Sequence, residues 1–165
     1  MRTTQVLRYP SGLDNSHLGL KALLHDAAEA YIADVTRPMK KVLPQVQKRE
    51  DAILKVILGA FSSTPTSEEK ALIKEADDCS LMSEAKVLMR SSGQNWSLDG
   101  HRVSQGLIQH FEENSTLLPR AAEILFLEKF VLFAENCGEV KDCHIKAATR
   151  RLHVLENLSL EEFEY

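Results

Sequence analysis

The segment His25-Asp26-Ala27-Ala28-Glu29-Ala30-Tyr31-Ile32-Ala33-Asp34 sets an imidazole beside a carboxylate and follows them with two further carboxylates. The pair comes directly after Leu20-Lys21-Ala22-Leu23-Leu24, where a helix turned towards a core ordinarily carries Leu or Ala. Burying such groups without partners is costly. A divalent cation removes that cost, because imidazole nitrogen and carboxylate oxygen are donors that Mn, Co, Ni, Fe, Zn or Mg accept. Glu29 lies four residues from His25 and three from Asp26, so on a continuous helix it shares their face. Further along, Asp77 stands in Glu75-Ala76-Asp77-Asp78, and Glu84 follows seven residues later, about 20° from the same helical face. A helix bearing His25 and Asp26 packed against one bearing Asp77 brings three ligands together, as helical bundles do when they build metal sites.

The elements that must position these residues are helical. Aromatic residues make up 6% of the chain, Gly and Pro are few, and no stretch alternates polar and apolar residues over the length of a strand, so the expected class is an all-α, single-domain helical bundle. The pattern predicts a first long helix from about Leu18 to Ile32, a break over Asp34–Pro38 and a new helix from Lys40. Pro44 then opens a helix whose apolar stripe runs through Val46, Ile53, Leu54, Ile57, Leu58 and Phe61. Ser62–Pro65 ends it. Thr66-Ser67-Glu68-Glu69 reads as a cap with acidic first-turn residues, opening a helix to Met89. Residues 91–100 read as a loop, and further helices are expected over 102–113, 119–136 and 140–158, with Asn136-Cys137-Gly138 as a stop signal before the last.

At 165 residues the chain suits one well-buried domain spanning 1–165. Its 24 acidic and 20 basic side chains give a net charge of −4, which argues against an extended nucleic-acid surface. Met-Arg-Thr-Thr-Gln lacks the regions of a signal peptide, and no apolar run reaches the length of a membrane span, so a cytoplasmic protein without membrane partners is expected. The three cysteines, Cys79, Cys137 and Cys143, form no C-x-x-C pair and read as reduced thiols; Cys137-x5-Cys143-His144 lacks the fourth partner and spacing of a zinc site. An acidic bundle with an apolar C-terminal helix also suits a homodimer.

The string Ala22-Leu23-Leu24-His25-Asp26-Ala27-Ala28-Glu29-Ala30-Tyr31-Ile32-Ala33-Asp34-Val35-Thr36-Arg37-Pro38-Met39-Lys40 resembles the HD-domain metal-dependent phosphohydrolases, and in particular the branch containing bacterial 5′-deoxynucleotidases and small phage-encoded HD hydrolases. Ala76-Asp77 with Glu84-Ala85-Lys86-Val87-Leu88-Met89 resembles that branch's later Asp and the helix behind it, and the likeness spans about residues 18–133. The resemblance implies that His25, Asp26 and Asp77 hold the metal, while Glu29 and Asp34 stand beside the substrate phosphate and the attacking water.

One feature of that pattern is missing, since the family carries another metal-binding His on a helix upstream of the His-Asp pair and only 24 residues precede His25. His17 on the same helix would lie about 12 Å along the axis and about 80° round it, too far to share an ion with His25. It is expected in a loop or first turn, with Asn15 or Ser16 near the cap. Either the domain is shortened and keeps the motif as a remnant, or residues 134–165 fold back as a C-terminal extension and supply a His, as in a circular permutation. His144 and His153 are the candidates, about 180° apart on a helix, and His144 is preferred because Ile145, Ala148 and Leu152 mark an inward stripe beside it.

The chemistry implied is hydrolysis of a nucleotide or another small phosphomonoester, with a metal-activated water as nucleophile. Glu29 or Asp34 would orient the water or protonate the leaving oxygen, and Arg37 and Lys40, with Lys41, would offset the phosphate charge. Each residue also has a plainer role: a hydrogen-bonded helix pair for His25-Asp26, a salt bridge to Lys86 or Arg90 for Glu84, loop charges for Arg37 and Lys40, a loop anchor for Trp96, and surface or internally satisfied rings for His101 and His110. Three classes of function follow: an HD phosphohydrolase, a degenerate HD domain that binds nucleotides as a regulator, and an interaction domain with no metal.

Overall fold

The computed structural model describes residues 16–94, 96, 103–113 and 117–157. All regular structure among the described residues is helical: α1 (Ser16–Leu23), α2 (Glu29–Ile32), α3 (Arg37–Val42), α4 (Pro44–Ala60), α5 (Ser67–Leu88), α6 (Gln105–Glu113), α7 (Pro119–Cys137) and α8 (Asp142–Asn157). The all-α class expected from composition and periodicity is therefore correct. No helix among the described residues is long and apolar enough to cross a membrane.

The main core joins α1, α4, α7 and α8. Leu20, Leu23, Leu24, Leu58, Phe130, Ala134, Val140 and Ala148 are buried together, with Leu54, Phe61, Phe133 and Ile145 packed around them. Gly19 explains how closely α1 approaches α7: a β-carbon there would meet the Phe133 ring at 2.9 Å. A helical glycine normally weakens its helix, and here it makes room for an aromatic ring. A second cluster, Leu18, Ala22 and Ile73, seats the other flank of α1 on α5. That contact is reinforced at the start of α5, where Thr66 and Glu69 cap each other and Lys21 donates to both Glu69 oxygens at 2.7 and 2.9 Å. Cys79, Leu107 and Phe111 join α5 to α6, and Ser83 Oγ, which donates to the Cys79 carbonyl, accepts from the Ser104 backbone N–H.

Two expected boundaries change. The long first helix is broken: α1 stops at Leu23, residues 24–28 form successive turns, and only the single turn α2 remains of its C-terminal half. The turns close Ala27 N–H onto the Leu24 carbonyl and Glu29 N–H onto the Asp26 carbonyl, so the chain tightens where the polar pair begins. The next helix begins at Arg37, with Pro38 in its first turn, rather than at Lys40. Elsewhere expectation and structure agree closely: Pro44 opens α4, Thr66 caps α5, and Gly138 ends α7 with a φ of 67° and its N–H on the Ala134 carbonyl. The expected loop over 91–100 and the helix start at 102 fall partly outside the described residues, as do His101 and Asn15.

Candidate metal centre

The broken helix is what presents His25. As α1 ends, the Ala22 carbonyl lies within reach of the side chain, and His25 Nδ1–H donates to it at 2.8 Å. That bond orients the ring and leaves Nε2 facing outward, the arrangement by which proteins set a histidine for metal ligation. Nε2 stands 2.8 Å from Asp26 Oδ2 and 3.7 Å from Asp77 Oδ1. Asp26 Oδ2 is off the ring N–H direction and Asp77 Oδ1 lies beyond hydrogen-bonding distance, so the buried Nε2 pairs with them by charge and not by an aligned hydrogen bond. His25, Asp26 and Asp77 each offer one donor atom, all within 4.8 Å of one another. Donors that share one ion at about 2.1 Å each stand at most about 4.2 Å apart, so the group suits one cation after small side-chain adjustments.

Electrostatics ties the three together. Burial opposes charge on His25, but the Asp26 and Asp77 carboxylates outweigh it and raise the imidazole to about 10. Asp77 shows the same attraction from the other side: burial favours its neutral form, yet His25 and Lys74 pull it down to about 2. Without metal, the centre is a protonated imidazole held between carboxylates. A cation bound here would compete with this proton for the same nitrogen.

The carboxylates of the α2 turn form the adjoining wall. Partial burial and the charges of Asp26 and Asp34 raise the proton affinity of Glu29, with Lys40 opposing them. Asp34 follows Ala33, whose φ of 64° and ψ of 164° lie in a region of backbone space that side chains normally avoid. This strained residue turns the chain after α2 and leaves Asp34 near enough to act on Glu29.

Other expected site residues take different places. Arg37 does not stand free for a phosphate: its Nη2 donates to Asp77 Oδ2 at 3.2 Å and to Asp78 Oδ1 at 2.7 Å. Lys40 is committed as well, donating to Glu50 Oε1 at 2.6 Å and lying 3.9 Å from Glu29 Oε1. His144 is not brought to the cluster; α8 packs along α7, and the imidazole meets the Phe61 ring edge-on with centroids 5.0 Å apart. The folding back of 134–165 therefore completes the core instead of the ligand set among the described residues. The His153 ring meets the Asn157 amide, with Nδ1 3.1 Å from Nδ2, on the exposed side of α8, and His17, in the first turn of α1, lies 3.8 Å from Glu139. Glu84 is outside the donor group.

Three residues essential to this arrangement were not singled out in the sequence. Asp78 is buried and paired with Arg37 and Lys74, which places two cations against the Asp77–Asp78 pair. Lys74 was legible from its spacing, three and four residues before the two Asp. Glu50 was legible too, since it falls on the apolar stripe of α4 between Val46 and Ile53 and Leu54, where a carboxylate needs a buried partner. A groove of about 660 Å³ runs elsewhere, between α7 and α8, and its lining includes none of the cluster residues.

Comparison with known proteins adds one relative. The uncharacterized protein YfdR of Escherichia coli K12 is 33% identical over 134 residues, covering 81% of this chain and 69% of the relative. The chain belongs to the YfdR family. No protein-family model matches the sequence, and no solved structure does. In this member of the family the His25, Asp26 and Asp77 donors stand on two elements, the turn after α1 and α5.

Proposed function

We propose that this protein is a metal-dependent phosphohydrolase acting on a nucleotide or another small phosphomonoester. The observation that carries the reading is the convergence of one donor atom each from His25, Asp26 and Asp77 within 4.8 Å, with the imidazole fixed by Nδ1–H on the Ala22 carbonyl so that Nε2 faces the two carboxylates. The resemblance of residues 22–40 and 76–89 to the HD phosphohydrolases supports the same assignment.

His25, Asp26 and Asp77 would hold the cation. A divalent ion supplies hydroxide from water at neutral pH and offsets the charge of phosphate oxygens. Glu29, whose carboxyl is pushed above the usual carboxylate range by partial burial and by the charges of Asp26 and Asp34, would act as the acid that gives a proton to the leaving oxygen as the P–O bond breaks. Asp34, which is exposed and acts on Glu29 through its charge, would accept the proton lost by the attacking water as the new O–P bond forms. Arg37 keeps positive charge at the rim while steadying Asp77 and Asp78. The net charge of −4 fits a small phosphorylated substrate rather than extended nucleic acid.

A second reading rests on a specific observation: Arg37, Lys74 and protonated His25 already balance Asp26, Asp77 and Asp78. Under that reading the domain binds nucleotides as a regulator and turns nothing over. Phosphate release from a panel of nucleoside 5′-monophosphates, with Mn, Co, Ni or Mg added, separates the two. The hydrolase reading expects metal-dependent release that Asp26→Ala abolishes. Nucleotide binding without release would support the regulatory reading.

A further inference from the structure

Behind the Glu29 wall lies a residue that the hydrolase reading does not use. Glu50 sits on α4 and is 8% exposed, an unusual burial for a carboxylate. One of its oxygens accepts from Lys40 Nζ at 2.6 Å, and the other is buried with no hydrogen-bond partner. Such a carboxylate is retained at a cost unless its one partner matters. That partner does not end at Glu50, because Lys40 Nζ also stands 3.9 Å from Glu29 Oε1.

We propose that Glu50 is a positioning residue that holds the Lys40 ammonium against Glu29. Lysine carries its charge on a flexible stem, so an unanchored Lys40 would swing to solvent or to the nearest anion, including an incoming phosphate. Glu50 reaches it from the next helix, across the short break at Leu43, and fixes one charge at one place. Asp26, Asp34 and Glu50 act on Glu29 with negative charge, and Lys40 opposes them with positive charge. Loss of the anchor therefore leaves Glu29 among like charges. Lys40 thus serves the acid–base group rather than the phosphate, which revises the substrate-binding role its place in the sequence suggested.

This inference rests on the hydrolase reading, and its test separates the two. Reductive methylation of the folded protein, followed by peptide mass analysis, reports how accessible Lys40 is without any turnover. Lys40 should be modified several-fold more slowly in the unaltered protein than in Glu50→Leu, and Glu50→Gln, which keeps an acceptor, should restore much of the protection. In metal-supplemented phosphate release, Lys40→Met and Glu50→Leu should each lower kcat about tenfold with little change in KM, and the double variant should be no worse than the poorer single one. Equal Lys40 reactivity in unaltered protein and Glu50→Leu, or losses that multiply in the double variant, would overturn the positioning role alone. No turnover by the unaltered protein would overturn the hydrolase reading, and the role of Glu50 in it, even with Lys40 protected.

Discussion

At His25 a proton and the proposed cation would contend for Nε2. The carboxylates that make the nitrogen attractive to metal also raise the imidazole to about 10, so near neutral pH the metal-free ring is charged. Metal binding must expel that proton. We expect close to one proton released per site near pH 7.5, measured by calorimetric titration in buffers of different ionisation enthalpy, and an affinity that rises with pH. A titration independent of buffer would show that His25 does not bind the ion. In the proposed reaction Glu29 would have the opposite task, supplying a proton to the leaving group. Glu29→Gln is expected to cut kcat by about 100-fold or more, the usual scale of general acid–base catalysis, while metal affinity stays within a few-fold. A variant that loses metal along with activity would place Glu29 among the ligands instead.

At the scale of elements, the decisive event is the early end of α1. A helix continued to Ile32 would have used the Ala22 carbonyl in its own hydrogen-bond ladder; the break frees it for His25 Nδ1. The sequence concealed this, because Leu20–Ala33 contains no Pro or Gly and reads as uninterrupted helix. Capping and stop signals were legible, as Thr66, Pro44 and Gly138 show, since each acts through local geometry. Close packing was not legible at Gly19. Propensity alone favours Gly19→Ala, yet the added carbon meets the Phe133 ring, so the variant is expected to lose about 1–3 kcal/mol in urea unfolding. Ala33→Gly should gain up to about 1 kcal/mol by relieving the positive φ, and a loss there would mean that the turn is unstrained.

For the whole molecule, the raised His25 and lowered Asp77 describe one ion pair from its two ends, so their effects are not summed. His25 stabilises the fold fully below its unfolded value of 6.5 and loses that contribution as pH rises towards about 10. Asp77 contributes above its unfolded 3.8 and loses it as pH falls towards about 2. The metal-free protein should therefore melt highest near pH 5–6 and lower towards pH 9, and added metal should remove the alkaline decline. A flat metal-free profile from pH 6 to 9 would contradict the ion pair.

The donor set itself was the most legible part of the site, because residue types and spacing mark it. What the sequence did not reveal was how the surrounding cations are shared: Arg37 and Lys40 look available in the chain and are tied down in the fold. His144 looked suited to the ligand set by residue type, and its ring packs on Phe61 because α8 is needed to close the core. The most direct test of the metal centre is the metal content of unaltered protein and His25→Ala after equilibrium dialysis against Mn and removal of free ion. We expect at least one Mn per chain in the unaltered protein and none retained by His25→Ala. No retention by either, or equal retention by both, would contradict a centre built on His25.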